Sequence, residues 1–342
     1  MKILFFSDIH IGAESIDNTQ VTLDTIFKTI KQVAPDVTVF SGDTFDRKLS
    51  LSSKYSAMFH AFLNRLKKHK IDLIMMKGTP SHDADQLENF EHDAITISTA
   101  IASKMNGLDI LWIPEEYPAD KAAFYDDLLN TQYDLIIGHG MSDLVNFFKD
   151  KVNNEIVTDD MVWNSKLLSK LSKTVVIFGH VHQHMQRGKF MYVGSWSRWA
   201  HDDDGNPKMA VVLDIEPAGV HTVSFVENKN APKFKTITVD SIDSTTLERV
   251  TQLKKKYASV RIKVKRKSAS LDEMTEIISR CDNVKIVYPP AERKIPSEGN
   301  AVTPTEIVRM QPFERLLLWL KNTDIKMSQT ELEQILNIGK EG

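Results

Sequence analysis

Along the first two hundred residues, short apolar runs alternate with stretches in which apolar residues recur every three or four positions. "KILFFSD" (2–8), "DVTVFSGD" (36–43) and "IDLIMMKG" (71–78) have the length and apolar content of buried strands. "TQVTLDTIFKTIKQVA" (19–34) and "SKYSAMFHAFLNRLKKH" (53–69) carry the helical period instead. This β-α-β-α-β order predicts a layered α/β domain whose sheet is at least partly parallel. Further strands are expected at "LDILWIP" (108–114), "YDLIIGHG" (133–140), "KTVVIFGHVH" (173–182), "KFMYVGS" (189–195), "KMAVVLDI" (208–215) and "GVHTVSFVE" (219–227). The last three lie too close together for crossover helices, so this part of the sheet is expected to be antiparallel or mixed.

A polar stretch at 227–243 reads as a boundary. After it come a helix (244–258), the alternating strand "SVRIKVK", a helix capped by Ser270 and the strand "NVKIVY". Pro289, Pro290, Pro296 and Gly299 then mark a linker, followed by helical patterns at 304–321 and 328–338. The predicted organisation is a catalytic domain (1–230), a small α/β domain (240–290), a linker (291–303) and a helical element (304–342). The fold class is α/β, with mixed sheets flanked by helices.

Composition adds limits. The 342 residues are 42% hydrophobic and 26% charged with a formal net charge of -3, the profile of an ordinary globular protein. Cys281 is the single cysteine, so an internal disulfide is excluded and a reducing compartment expected. Apolar runs fall far short of the roughly 20 residues that span a bilayer, and no signal-peptide pattern opens the chain, so a cytoplasmic location is expected.

The chemistry lies at strand ends. Five predicted strands finish in carboxylates or imidazoles: "SDIH" (Asp8, His10), "SGDTFD" (Asp43, Asp46), "GTPSHD" (His82, Asp83), "GHG" (His139) and "GHVH" (His180, His182). Loops at the carboxyl ends of parallel strands converge on one crevice, so residues far apart in sequence can meet there. Mixed oxygen and imidazole donors suit manganese, iron or zinc, and two such ions would serve phosphoester hydrolysis. Any one motif alone would be an unremarkable turn. His60, His69, His92, His184, His201 and His221 belong to none of the five.

In this order the motifs resemble those of the calcineurin-like metallophosphoesterases and, within them, the SbcD-type nuclease subunits of double-strand-break repair complexes, bacterial or bacteriophage. The resemblance implies two divalent metal ions, manganese foremost, with magnesium, iron or zinc as substitutes. Asp8, His10, Asp43 and His182 would hold the first ion; Asp43 would bridge to a second completed by His139 and His180. His82 and Asp83 would be catalytic, with His82 over the scissile phosphate. The family pattern Gly-Asn-His-Asp is here Gly78-Thr79-Pro80-Ser81-His82-Asp83. Two residues are inserted, the metal-binding Asn is missing, and Ser81 is its positional substitute.

The resemblance also implies DNA as substrate, a homodimer paired through helices (54–68 or 87–104) and an SbcC-like SMC-type ATPase as partner, in the cytoplasm or that of a phage host. Arg261, Lys263, Lys265, Arg266 and Lys267 would track the phosphate backbone, although a solvated strand face would read the same. Trp196, Arg198 and Trp199 could stack on bases or pack a junction, and packing is favoured. Phe313, Leu316, Leu317 and Leu320, at helical spacing, would bind the ATPase or fold back on the chain. Two other functions stay open: a phosphatase or small-molecule phosphodiesterase, and a DNA-binding scaffold with a degenerate site.

Overall fold

The computed structural model describes residues 1–265 and 284–287, apart from 14, 84, 91–93, 119, 149–161, 199–200, 202–204, 217–218, 220, 241 and 243. The described residues belong to one compact unit, Met1–Pro289. The linker at 291–303, the helical element at 304–342 with Phe313, Leu316, Leu317 and Leu320, the helix after Ser270, and Arg266, Lys267 and Trp199 lie outside the described residues.

The strands are β1 (Lys2–Phe6), β2 (Val37–Ser41), β3 (Leu73–Met76), β4 (Ile95–Ile97), β5 (Ile101–Met105), β6 (Leu108–Ile113), β7 (Tyr133–His139), β8 (Ser172–Gly179), β9 (Met185–Arg187), β10 (Phe190–Tyr192), β11 (Met209–Ile215), β12 (His221–Glu227), β13 (Phe234–Val239), β14 (Ser259–Val264) and β15 (Val284–Val287). The α-helices are α1 (Ile16–Val33), α2 (Lys54–Lys68), α3 (Lys121–Leu129), α4 (Ser165–Leu171) and α5 (Ser244–Lys254). Helix α1 begins three residues before the apolar period does, because the Ser15 side chain accepts the Asn18 N–H and caps it there.

One sheet has the order β12-β11-β1-β2-β3-β4, the second β5-β6-β7-β8-β10-β9. Strands β1 to β4 pair in parallel, whereas β11 and β12 join antiparallel, giving the expected mixed sheet. Strands β6, β7 and β8 are parallel in the second sheet. Alternate residues of each strand enter different cores. Ile3, Phe5, Val37 and Val39 meet Leu135, Ile137, Val175 and Ile177 between the sheets. Leu4, Phe6 and Phe40 face α1 and α2 on one outer side, while Ile136, Val176 and Phe178 pack with Tyr125 and Leu168 of α3 and α4 on the other. Both faces of these strands are buried, which explains why they read as continuous apolar runs.

Two expectations are corrected. The segment 87–104, considered as a pairing helix, contains a 3₁₀ turn (Gln86–Phe90) and parts of β4 and β5 among its described residues. Its Ile95, Thr96 and Ile97 are β-branched and favour the strand it forms. The 227–243 stretch, read as a polar boundary, does contain the passage from β12 to a separate sheet, but it also holds a strand the reading did not expect, β13. Only Phe234 and Ile237 of that strand are deeply buried, so its apolar signal is thin.

Strands β13, β14 and β15 form a separate parallel sheet, with α5 as the crossover between the first two. Val260, Ile262 and Val264 pack with Ile237, Ile242 and Val250 in its core. The segment after β10 fastens this sheet to the main body: Arg198 donates to the Ala231 and Pro232 carbonyls, and His201 meets Ser259 at 3.0 Å. Trp196 is buried edge-on against Phe6 and donates to Thr25. Trp196 and Arg198 are therefore packing residues.

Candidate metal centre

The carboxyl ends of β1, β2 and β3 in one sheet and of β6, β7 and β8 in the other deliver side chains to a single place. Asp8, His10, Asp43 and His180 hold positive φ values of 51°, 48°, 49° and 95°. Left-handed backbone at non-glycine residues costs on the order of 1–3 kcal/mol each and persists where the surroundings enforce it. Here hydrogen bonds between strand ends do so: Asp8 and His10 donate to the carbonyls of Gly42 and Asp43, and the His180 N–H donates to the Asp8 carboxylate at 3.0 Å. The strain turns each side chain from the sheet into the crevice.

Three groups of donors result. Asp8, His10 and His182 form one, Asp43, His139 and His180 a second, and His10, Asp46 and His82 a third; within each group the ligand atoms lie within 4.8 Å of one another. Asp43 stands between the first two, its Oδ2 3.7 Å from His10 Nε2 and 3.3 Å from His139 Nε2. The structure thus brings Asp8, His10, Asp43, His139, His180 and His182 together.

These donors fit metal ions. His139 Nδ1 lies 2.8 Å from the Ser41 carbonyl, which can only accept, so the proton is on Nδ1 and the Nε2 lone pair points to the crevice. His139 Nε2 and His180 Nδ1 are buried without a hydrogen-bond partner, an arrangement native proteins rarely leave unless an ion completes it. The charges agree. Burial opposes protonation of His10, His139 and His180, yet carboxylates (Asp46 beside His10, Asp43 beside His139, Glu115 beside His180) raise the pKa of all three. Burial alone would raise Asp43, but the His139 and His10 imidazoles hold it far below the usual carboxylate range. An array that would otherwise gather protons is one where a divalent cation is welcome. His182 differs: burial and the positive charges of His10 and Lys208 depress it well below the ordinary imidazole range, which leaves it neutral and able to ligate.

The remaining residues of the third motif divide. His82 Nδ1 sits 2.6 Å from the Asp46 carbonyl, and its ring stands edge-on to His10 with centroids 4.7 Å apart. Asp83 is fully buried, and its two oxygens accept from the backbone N–H groups of Phe45 and Gly78. Burial and the Asp43 charge raise it to about 7. A carboxylate sealed beneath two loops does not touch substrate, so the expected catalytic role gives way to bracing the β2 and β3 loops. Ser81 is exposed. It is Thr79 that reaches the centre, its N–H 2.6 Å from Asp43 Oδ1 and its hydroxyl 3.1 Å from Asp43 Oδ2. Thr79 directly follows Gly78, and the turn after it, closed by the His82 and Asp83 N–H groups on the Thr79 carbonyl, leaves Ser81 outside the crevice.

Sequence reasoning missed Glu115, Tyr117 and Lys208. Glu115 ends the β6 run and is 7% exposed, with Tyr117 donating to its Oε1. It carried the same strand-end signal as the five motifs but stood beyond Pro114 in an "EEYP" stretch that reads as a loop. Lys208 is fully buried and donates to the His182 carbonyl and the Ser195 hydroxyl, holding the last motif in place.

A sequence model of the calcineurin-like phosphoesterases matches residues 1–184, more than half of the chain. The chain belongs to the calcineurin-like phosphoesterase family. It is a hydrolase of phosphoesters with the α/β architecture of that family. Among solved structures, the phosphatase from Mycoplasma pneumoniae aligns at 10% identity and a TM-score of 0.41, covering 66% of this chain and 93% of that one. The E. coli phosphoesterase Yfce aligns at 17% identity and a TM-score of 0.32, covering 63% and 88%. The Pseudomonas putida nuclease MPE aligns at 13% identity and a TM-score of 0.30, covering 55% and 66%. At these identities and scores the likenesses do not bear on which phosphoester this phosphoesterase cleaves. No helix among its described residues is long and apolar enough to cross a membrane.

Proposed function

We propose that this phosphoesterase is a two-metal DNA nuclease, the catalytic subunit of an SbcCD-like ATPase-nuclease complex acting in DNA repair, recombination or replication. The observation that carries the two-metal part is Asp43, whose carboxylate lies between two separate donor groups. Two divalent cations, manganese foremost, would supply a clamp for the phosphate and a water of lowered pKa at neutral pH. Asp8, His10, His182 and Asp43 would hold one, and Asp43, His139 and His180 the other.

The protein's own part is positioning and proton transfer. His82 gives its Nδ1–H to the Asp46 carbonyl, which fixes the ring and leaves Nε2 as the atom that carries a proton to the leaving oxygen. Asp83 keeps the loop bearing His82 against the Asp43 loop through its two amide hydrogen bonds.

DNA as substrate is supported by the small sheet. Strand β14 is its central strand, and Arg261, Lys263 and Lys265 alternate with the buried Val260, Ile262 and Val264. Lys285 of β15 pairs in register with Arg261 and adds a fourth cation to that face. Lys265 is partly offset by Asp240 at 3.2 Å. Such a row suits a phosphate backbone read without base contacts. The ATPase partnership rests on the resemblance to the SbcD-type subunits, and the apolar helical spacing of Phe313, Leu316, Leu317 and Leu320 marks the segment that would bind it.

The test is manganese-dependent hydrolysis of linear duplex DNA, single-stranded DNA and a chromogenic phosphodiester, with Asp43→Ala as control. Turnover of DNA far above the small ester, lost in Asp43→Ala, is expected. Efficient turnover of the small ester without DNA cleavage would favour the small-molecule phosphodiesterase instead.

A further inference from the structure

The third motif lacks the Asn that its family pattern places on the second metal ion, so the Asp43, His139 and His180 group should be one ligand short. The opposite sheet supplies a candidate. Strands β6, β7 and β8 are parallel neighbours, and their carboxyl ends carry Glu115, His139 and His180 in turn. Glu115 Oε2 lies 3.5 Å from His139 Nε2, 3.2 Å from His180 Nδ1 and 3.1 Å from the Thr79 hydroxyl. Those two ring nitrogens are buried and make no hydrogen bond of good geometry. Tyr117 holds the other oxygen, Oε1, so the carboxylate is oriented with Oε2 toward the imidazoles. The Glu115 N–H is tied to the Lys77 carbonyl at 3.4 Å, which links its loop to the third motif.

We propose that Glu115 is a ligand of the second metal ion, replacing the family's neutral amide with a carboxylate, and that Thr79 and Tyr117 position it. The proposal rests on the two-metal reading and deepens it. Its chemical consequence is a second position bounded by two carboxylates, Asp43 and Glu115, and two imidazoles, where the family pattern has a single shared carboxylate. Affinity for a hard divalent cation such as manganese then depends on the Glu115 charge, which an amide cannot reproduce. Thr79 contributes one hydroxyl proton between Asp43 Oδ2 and Glu115 Oε2, both 3.1 Å away, and so sets the two carboxylates at a fixed separation.

The experiment is manganese binding to chelator-stripped, full-length protein, read by equilibrium dialysis with elemental analysis and by electron paramagnetic resonance. Wild type should bind two ions per chain and show the spectrum of an exchange-coupled pair. Glu115→Ala should bind one ion, with the first-site affinity unchanged and the coupled spectrum lost; that retained site also certifies folding. Glu115→Gln should keep two ions with the second roughly ten- to a hundredfold weaker, and Tyr117→Phe should weaken the second ion by a smaller factor. Two ions at wild-type affinity in Glu115→Ala would overturn the Glu115 assignment while leaving the two-metal reading intact. Fewer than two ions in wild type would overturn both.

Discussion

Gly42 links the fold to the metal centre more directly than any ligand does. It has φ +93°, and a Cβ built on it would stand 2.0 Å from His139 Nδ1 and 2.4 Å from His139 Cγ. Gly42→Ala therefore carries three costs. The left-handed backbone costs about 1–2 kcal/mol for a residue with a Cβ. Overpacking against a ring in a close-packed centre costs about 1–3 kcal/mol. Displacing the ring breaks the bond from His139 to the Ser41 carbonyl, about 1 kcal/mol more. The sum, roughly 3–6 kcal/mol, is a large share of the roughly 5–15 kcal/mol that holds a typical domain. Gly188, in the turn between β9 and β10, has φ +60° with nothing within 4 Å of its built Cβ. Gly188→Ala should then cost only the backbone part, about 1–2 kcal/mol. Equilibrium urea unfolding of the two metal-free variants, with m-values compared to confirm a common unfolded state, measures both. If Gly42→Ala costs no more than Gly188→Ala, the close approach of the two sheets at His139 is wrong.

Three further outcomes are expected. Asp83→Ala leaves two buried amides unpaired, at about 1–3 kcal/mol each. Because Asp83 is raised from 3.8 to about 7, its stabilising share in wild type is greatest below about pH 4 and falls as pH rises toward 7. The stability gap between metal-free wild type and Asp83→Ala should therefore narrow from pH 5 to pH 7.5, and a gap that widens contradicts the burial argument. His82→Gln should lower kcat about 10²- to 10⁴-fold with manganese content unchanged, and loss of metal together with activity would make His82 a ligand. Lys263→Glu and Lys265→Glu should each reduce the slope of log affinity for DNA against log salt by about one, as titrations at several salt concentrations would show, whereas unchanged slopes would return β14 to a merely solvated face.

How legible the molecule was depended on whether the signal was local. The parallel strands β1, β2, β3, β7 and β8 were visible because both of their faces are buried, so most of their positions are apolar. Their terminal Asp and His residues stood out against that background. Strand β13 was hidden because only two of its side chains are deeply buried, and β4 and β5 were hidden because they are short edges with exposed positions. The donor Ser81 was chosen by adjacency to His82, but adjacency along a loop says little about direction. The turn at Thr79 and Pro80 carries Ser81 outward and leaves Thr79 over Asp43.

By itself the sequence determined the α/β class, the order of the strands that meet at the crevice and the identity of six residues that gather there, since periodic burial and strand-end chemistry are properties of neighbouring residues. Tertiary structure alone decided that Asp83 braces rather than reacts, that Thr79 and not Ser81 meets the bridging carboxylate, and that Glu115 joins His139 and His180. Each of those facts is a distance between residues from different strands. Such distances are set by how the loops at neighbouring strand ends fold over one another within each sheet, and no local pattern along the chain encodes them.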